Sequence, residues 1–319
     1  MSIAGRPQAV MSNPRADRVK EVARLAGRPV RLKRRRFLAE GPQAVREALA
    51  AHRNRTAGGG SPVVDEVYAT EACLDRLPEL AELVGQAVGV PLRLATDEVL
   101  AAMADTVSPQ GIVAVCHFLD RPLAEVLAAG PRLLAVLVRV QDPGNAGTVL
   151  RAADSAGADA LVLTSSSVDI YNPKAVRSTA GSLFHLPVVT GQDLEGLLAA
   201  LRGQGITLLA ADGYGSVDLD VLQDQSALRR LGAAAGDRDR ADECADERAD
   251  GGVGSGLPAL EAPTAWLFGN EAQGLSNQEL AAADHRVAVP IYGQAESLNV
   301  STAATVCLYA SARAQRRQG

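Results

Sequence analysis

Aromatic side chains are scarce in this chain: only 3% of its 319 residues are Phe, Tyr or Trp, although 47% are hydrophobic. Its core must therefore be filled mainly by Leu, Val and Ala. No apolar run reaches the length of a membrane span, and the basic N-terminus lacks the apolar segment of a signal peptide. The four cysteines (Cys73, Cys116, Cys244, Cys307) lie far apart without C-x-x-C spacing. That argues against a zinc site or a disulfide framework and fits a reducing cytoplasm. A dinucleotide-binding G-x-G-x-x-G is missing, since Gly213-Tyr-Gly215 has no third glycine. There is no P-loop, no G-x-S-x-G and no H-E-x-x-H, and the four histidines (52, 117, 185, 285) are scattered. Hydrolase and metal chemistry have nothing to rest on.

A net charge of −5 argues superficially against a nucleic-acid partner, but its distribution does not. Residues 1–40 hold eleven Arg or Lys against three acids, a local balance of +8. Residues 236–250 hold seven acids against three Arg, a balance of −4. Such segregation suggests a basic arm meeting phosphate and a separate, solvated acidic loop. Basic N-terminal tails without a partner are also common.

The length suits one large or two ordinary domains. Residues 1–30 are polar, Arg-rich and contain three prolines, which reads as a basic arm, with a short helix around Asp17–Ala26. Residues 31–120 alternate strand and helix patterns and form a small α/β domain. It is entered through the basic run at Arg34, Arg35 and Arg36. A Pro/Ala/Gly segment at 121–132 reads as a hinge. From 133 to the end, apolar strands again alternate with helices, the pattern of a parallel sheet. Gly232–Gly256 interrupts it with an Ala-, Gly-, Asp- and Arg-rich stretch that lacks apolar periodicity, and a disordered acidic insertion is expected there.

The last fifty residues carry the chemistry. An apolar run, Ala265–Phe268, stops at Gly269-Asn-Glu-Ala-Gln-Gly274, and a second, Val287–Val289, stops at Pro290-Ile-Tyr-Gly-Gln-Ala-Glu-Ser-Leu-Asn299. In open α/β sheets ligands bind beyond the carboxyl ends of strands, so two such loops are a candidate site. Upstream, the turn formers Asp142 to Asn145 lie between a strand (133–140) and a helix (145–157), with Asn145 suited to the helix N-cap. Arg151 follows within an apolar helix pattern and, read alone, would simply pair with an internal acid.

These residues resemble a known family. Asn145-x-Gly147-x-x-x-Arg151, Phe268-Gly-Asn-Glu-Ala-Gln-Gly-Leu275 and Pro290–Ser301 are similar to the three ordered motifs of the SpoU (TrmH-like) RNA ribose methyltransferases, in the SPOUT superfamily. Phe37-Leu-Ala-Glu-Gly41 and Ser108-Pro-Gln-Gly-Ile112 resemble landmarks of the L30e-like RNA-binding domain found in rRNA-modifying members. The resemblance implies an α/β fold: a parallel-sheet SPOUT domain with a deep trefoil knot, preceded by the L30e-like domain. It implies a homodimer in the cytoplasm, S-adenosylmethionine as cofactor and transfer of its methyl to a ribose 2′-hydroxyl. Structured RNA, 23S rRNA ahead of tRNA, is the implied partner. A non-catalytic RNA-binding or assembly factor on the same fold is the rival.

Residue roles follow from the same resemblance. Arg151 is the expected catalytic residue, with Asn145, Glu271 and Asn299 organising the site around it and Ser297 positioning it or the substrate. A guanidinium normally stays protonated, so holding phosphate and polarising the hydroxyl is as good a role for Arg151 as that of a base. Gly269 and Gly274 let the backbone approach the cofactor, Asn270 shares that loop, and Val289, Ile291 and Leu298 wall an adenine pocket. Asn299 or Ser297 equally suits the cap of the final helix. Lys174 and Arg177, three apart on a short helix, and Arg34 to Arg36 are candidate phosphate contacts.

Overall fold

The computed structural model describes residues 9–239 and 256–316. These fall into two compact units, one drawn from residues 1–120, 143–151 and 168–187, the other from 121–142, 152–167 and 188–319.

The first unit opens with α1 (Asp17–Ala23), a 3₁₀ turn at Arg24–Ala26 and α2 (Arg28–Arg34). Then come β1 (Arg36–Glu40), α3 (Pro42–Ala57), β2 (Val64–Ala69), α4 (Glu71–Arg76), α5 (Pro78–Gln86), β3 (Leu92–Leu94), α6 (Asp97–Met103) and β4 (Ile112–His117). The sheet order is β1-β4-β2-β3, with β4 antiparallel to both neighbours and β2 parallel to β3. Val19, Val22 and Leu25, spaced three apart, bury one apolar face among Leu38, Tyr68, Leu100, Met103 and Val113. Met11 N–H donates to Leu94 O (2.8 Å). Within the expected basic arm, Val19, Val22 and Leu25 thus join this core and Met11 packs against it.

The chain continues through α7 (Leu123–Ala128), β5 (Leu133–Leu137), α8 (Pro143–Ala156), β6 (Ala160–Thr164), α9 (Pro173–Ser178) and β7 (Val188–Gln192). It then forms α10 (Leu194–Gly203), β8 (Thr207–Ala211), β9 (Val217–Asp218), α11 (Leu219–Asp239), β10 (Thr264–Phe268), α12 (Asn277–Ala281), β11 (His285–Ala288) and α13 (Val300–Arg316). Seven strands form an all-parallel sheet, ordered β7-β6-β5-β10-β8-β11-β9. β5, β6 and β10 are buried along their whole length, as near-continuous apolar strands in a parallel sheet must be.

The expected hinge at 121–132 holds α7, whose Val126 is buried in the second core beside Leu134 and Leu198. α11 runs to Asp239, past the Gly232 start of the expected insertion, while 240–255, Cys244 included, lie outside the described residues. The segment 168–187 belongs with the first unit because it is tied into it chemically. Arg31, 1% exposed, donates to Asp169 Oδ2 (Nε 3.0 Å, Nη2 2.8 Å). Tyr171 stacks on Phe118 at 3.9 Å between centroids, and its hydroxyl accepts Leu119 N–H (2.7 Å) and donates to Asp120 (3.1 Å).

Among the described residues no helix is long and apolar enough to cross a membrane. The largest buried side chain is Trp266 on β10, whose indole N–H donates to the buried Ser311 Oγ on α13 (2.9 Å). Ser311→Ala strands that donor in a dry core. Chemical denaturation should show a loss of about 1–3 kcal/mol.

Candidate active site

The sheet edge sets the site. β10 lies beside β5 with Phe268 opposite Leu137, so the two strands end level and their following loops leave together. β8 and β11 run parallel on the other side of β10, and the loops after them leave the same carboxyl edge.

The loop after β10 is closed on itself. Asn270 N–H donates to Gly274 O (3.1 Å) and Gly274 N–H to Asn270 O (2.8 Å), while Asn270 Oδ1 accepts Ala272 N–H and Gln273 N–H (3.0 and 3.2 Å). Gly274 has φ 64°, which glycine adopts at no steric cost. At Gly269 a Cβ would come within 2.3 Å of the Gly274 carbonyl carbon, so no side chain fits there. Glu271 accepts Gln141 N–H at Oε2 (3.1 Å) and Asp142 N–H at Oε1 (3.0 Å). Asn270 Nδ2 donates to Arg139 O (3.1 Å). Gly269, Asn270, Glu271 and Gly274 are therefore gathered in one loop, stitched to the chain that leads into α8.

Residues 289–299 follow β11. Val289 is half-buried, and Ile291 and Leu298 are each 37% exposed, so two apolar side chains stand at the edge with open surface. Tyr292 Oη donates to Asp220 on α11, fixing the loop on one side. On the other, Asn299 caps α13: its Oδ1 accepts Ser301 N–H (2.9 Å) and Ser301 Oγ–H (2.5 Å), and its carbonyl accepts Ala303 N–H (2.9 Å). The capping role read from the sequence is real for Asn299. Ser297 is exposed in the same loop.

Asn145 and Arg151 lie on the first-unit portion of α8. The helix begins at Pro143, so Asn145 sits in its first turn rather than at its N-cap. Proline is well suited to that opening position, which the sequence reading passed over. Gly147 is where α8 meets α9: a Cβ there would come within 2.1 Å of Ser178 Oγ and 2.4 Å of Ala175 O. Arg151 is exposed, so pairing with an internal acid is not needed to place it.

The basic candidates are mostly partnered. Arg34 lies 3.8 Å from Glu21, Arg35 2.9 Å from Asp120 with its guanidinium 4.7 Å over Phe118, and Arg36 3.2 Å from Asp65. Arg177 reaches Glu40 (3.3 Å) and Asp105 (3.1 Å). Lys174 is exposed on α9.

Comparison with known proteins matches this architecture at both ends. Residues 132–309 match the SpoU rRNA Methylase family, and residues 38–122 match RNA 2′-O ribose methyltransferase substrate binding. The chain belongs to the SpoU family. It is 32% identical to the 23S rRNA (guanosine(2553)-2′-O)-methyltransferase RlmP of Bacillus subtilis, over 92% of this chain and 94% of that one. It is 30% identical to the 23S rRNA (guanosine-2′-O-)-methyltransferase RlmB of Ralstonia nicotianae, over 78% and 88%. Among solved structures, the SpoU methyltransferase AviRb of Streptomyces viridochromogenes in complex with the cofactor AdoMet matches with a TM-score of 0.71 and 26% identity, over 96% of this chain and all of that one. This SpoU chain is an RNA 2′-O-methyltransferase with the parallel-sheet SPOUT fold and a separate substrate-binding domain, and its methyl donor is S-adenosylmethionine.

The SpoU edge fits that donor chemically. Gly269 is buried, with its Cβ position filled by the loop's own backbone at Gly274 and Leu275, while in the chain after β11 Val289 is half-buried and Ile291 and Leu298 present exposed apolar surface. When bound, the cofactor supplies a methyl group on a sulfonium leaving group.

Two further residues at this edge went unread in the sequence. Arg139 closes β5 in a left-handed conformation (φ 59°) and forms a two-pronged pair with Glu279, Nε to Oε1 and Nη2 to Oε2, both 2.7 Å. Glu279 also completes a capping box with Ser276 on α12. The Ser-x-x-Glu spacing was a readable signal for Glu279; nothing local announces Arg139.

Hydrogen bonding from Arg139, aided by Ser276, holds the Glu279 carboxyl below its ordinary value of 4.5, against the opposing effect of burial. A lowered carboxylate adds stability that is fully present above that ordinary value and is lost as pH falls through the lower folded one. Urea melts of wild type and Glu279→Gln should therefore differ at pH 7 and converge as the pH drops below about 4. At Gly269, alanine has no room; Gly269→Ala should weaken cofactor binding by roughly tenfold or more in calorimetry, each tenfold being about 1.4 kcal/mol.

Proposed function

We propose that this enzyme methylates a ribose 2′-hydroxyl of 23S rRNA, with its catalytic centre formed by Arg151, Asn145, Glu271, Ser297 and Asn299 and its cofactor held by Gly269, Asn270, Gly274, Val289, Ile291 and Leu298. The observation that carries this reading is the stitched edge: Glu271 and Asn270 bind the backbone of Gln141, Asp142 and Arg139, joining the second motif loop to the entry of the helix that carries the first. The ribosomal substrate is supported by relatives named for 23S rRNA methylation and by the matched substrate-binding domain.

Once bound, the cofactor would supply the methyl on its sulfonium sulfur to the ribose oxygen, whose proton would leave to an RNA phosphate oxygen or water. Arg151 holds the neighbouring phosphate and polarises the hydroxyl, a role that keeps its guanidinium charged throughout. Glu271 keeps the loop in place by accepting two backbone N–H groups. Asn299 fixes the start of α13, leaving Ser297 exposed toward the substrate side of its loop.

The enzyme works as a cytoplasmic homodimer in this reading. α13 and α11 leave Val306, Tyr309, Leu228 and Leu231 exposed, the kind of apolar surface a second copy covers. The trefoil knot implied by the family likeness is consistent with the non-sequential insertion of β10 between β5 and β8. RNA contact falls to Arg34, Arg35, Arg36, Lys174 and Arg177.

Mass mapping of 23S rRNA from cells with and without the gene should reveal one ribose methylation that depends on it; a methyl on a base would overturn the reading. Arg151→Ala should abolish transfer to that RNA while calorimetry shows the cofactor still bound. Normal turnover in that variant would remove Arg151 from the chemistry.

A further inference from the structure

Arg139 is an uneconomical residue where it stands. With φ 59° its backbone lies in the left-handed region, which an L side chain enters only when its surroundings impose it. Glycine would adopt this conformation freely. The backbone is held on both sides: Arg139 N–H donates to Thr164 Oγ1 (3.2 Å), and its carbonyl accepts Asn270 Nδ2 (3.1 Å) and Gln141 Nε2 (3.2 Å). Those bonds need no arginine side chain.

The side chain serves the other end of the same loop. Its guanidinium forks onto Glu279 at 2.7 Å twice and lies 3.4 Å from Gly274 O. Glu279 at the same time accepts Ser276 N–H (2.6 Å). The entry of loop 270–274 is thus fixed through the Arg139 carbonyl and its exit through the Arg139 guanidinium. A planar fork suits this task because both of its donors are set in one geometry.

We propose that Arg139 is a positioning residue for the cofactor, clamping both ends of loop 270–274 so that it is ordered before S-adenosylmethionine arrives. The inference rests on the reading of this loop as a cofactor-binding element. A loop ordered in advance binds more tightly because its ordering is not charged to the binding step. The clamp does not touch the reacting atoms, so it acts on cofactor affinity and leaves RNA affinity alone.

The test is calorimetry of S-adenosylmethionine against wild type, Arg139→Gly, Arg139→Lys and Glu279→Gln, with amide hydrogen exchange of residues 270–276 in the cofactor-free protein. Arg139→Gly removes the fork while relieving the backbone, so it should keep or raise the melting temperature yet weaken cofactor binding roughly tenfold, within the usual range for coupled elements. Glu279→Gln retains the capping box, since glutamine serves there too, and should weaken binding to a similar degree. The double variant should be no worse than either single one, because both break one interaction. Arg139→Lys should restore part of the loss, and exchange in 270–276 should speed up in each weakened variant. In steady state KM for the cofactor should rise with little change in kcat. A folded Arg139→Gly or Glu279→Gln with wild-type cofactor affinity and unchanged exchange overturns the clamp alone. A wild-type protein that fails to bind the cofactor overturns the reading of the loop, and the clamp's purpose with it.

Discussion

The register between β5 and β10 is the constraint on which the site depends. Because Leu137 faces Phe268, two strands far apart in sequence end at the same level, and the backbone groups just beyond them lie within hydrogen-bonding reach. Parallel strands leave such groups unpaired at their carboxyl ends, and buried or half-buried unpaired groups are costly. Here the second loop satisfies them. Glu271 takes the N–H groups of Gln141 and Asp142, and Asn270 gives its amide to Arg139 O. One carboxylate and one carboxamide thereby fix the path of the chain from Arg139 to Asp142. Sheet pairing, rather than any local preference of the loop, brings those groups together.

The first unit shows how little a count of charges says about a field. Residues 1–40 carry a balance of +8, yet Arg18 lies 2.6 Å from Glu66, Arg31 is buried against Asp169, and Arg34 to Arg36 each face a carboxylate. Much of the apparent basic arm is neutralised by acids that fold onto it from elsewhere in the chain. The Arg31–Asp169 pair is the most deeply placed. A buried pair is weak evidence of net stability, but removing one partner leaves the other uncompensated, which ties residues 168–187 to α2. Arg177 is drawn into the same logic by Glu40 and Asp105, which makes α9 a member of the substrate-binding unit although its sequence lies among the methylase motifs.

What the sequence disclosed was what short-range chemistry determines. Apolar strands punctuated by glycine and asparagine marked the parallel sheet and its loops, and three spaced motifs marked the family. The cap at Asn299 was legible because a polar residue just before an apolar helix has few other uses. Boundaries governed by distant partners were not. β5 stops at Leu137, before the expected Val140, because Arg139 turns left-handed under bonds from Thr164 and Asn270, residues 25 and 131 positions away. The N-terminal helices read as an arm because Val19, Val22 and Leu25 are too few to signal burial without the sheet they pack on. Arg139 itself offered no clue: its role exists only once Glu279 is brought beside it.

The exposed face of the site follows from the same division of labour. Residues that hold the framework, Asn270, Glu271 and Asn299, spend their polar atoms on backbone groups. Ile291, Ser297 and Leu298, the proposed ligand contacts, are open to solvent. Exposed apolar side chains on an otherwise well-packed edge cost hydration free energy that an adenine ring would recover, so cofactor binding should carry the negative heat-capacity change of apolar burial. By linkage, a ligand that binds only the folded chain stabilises it in proportion to the logarithm of its concentration over Kd. The loop after β11 is fixed at one side by Tyr292 on Asp220 and at its end by Asn299 on Ser301, so that gain is not consumed in ordering the whole segment. A framework made rigid by internal polar bonds, with apolar surface kept open between its anchors, is what a site needs if it is to grip a flat ring and still leave a sulfonium methyl facing an RNA sugar.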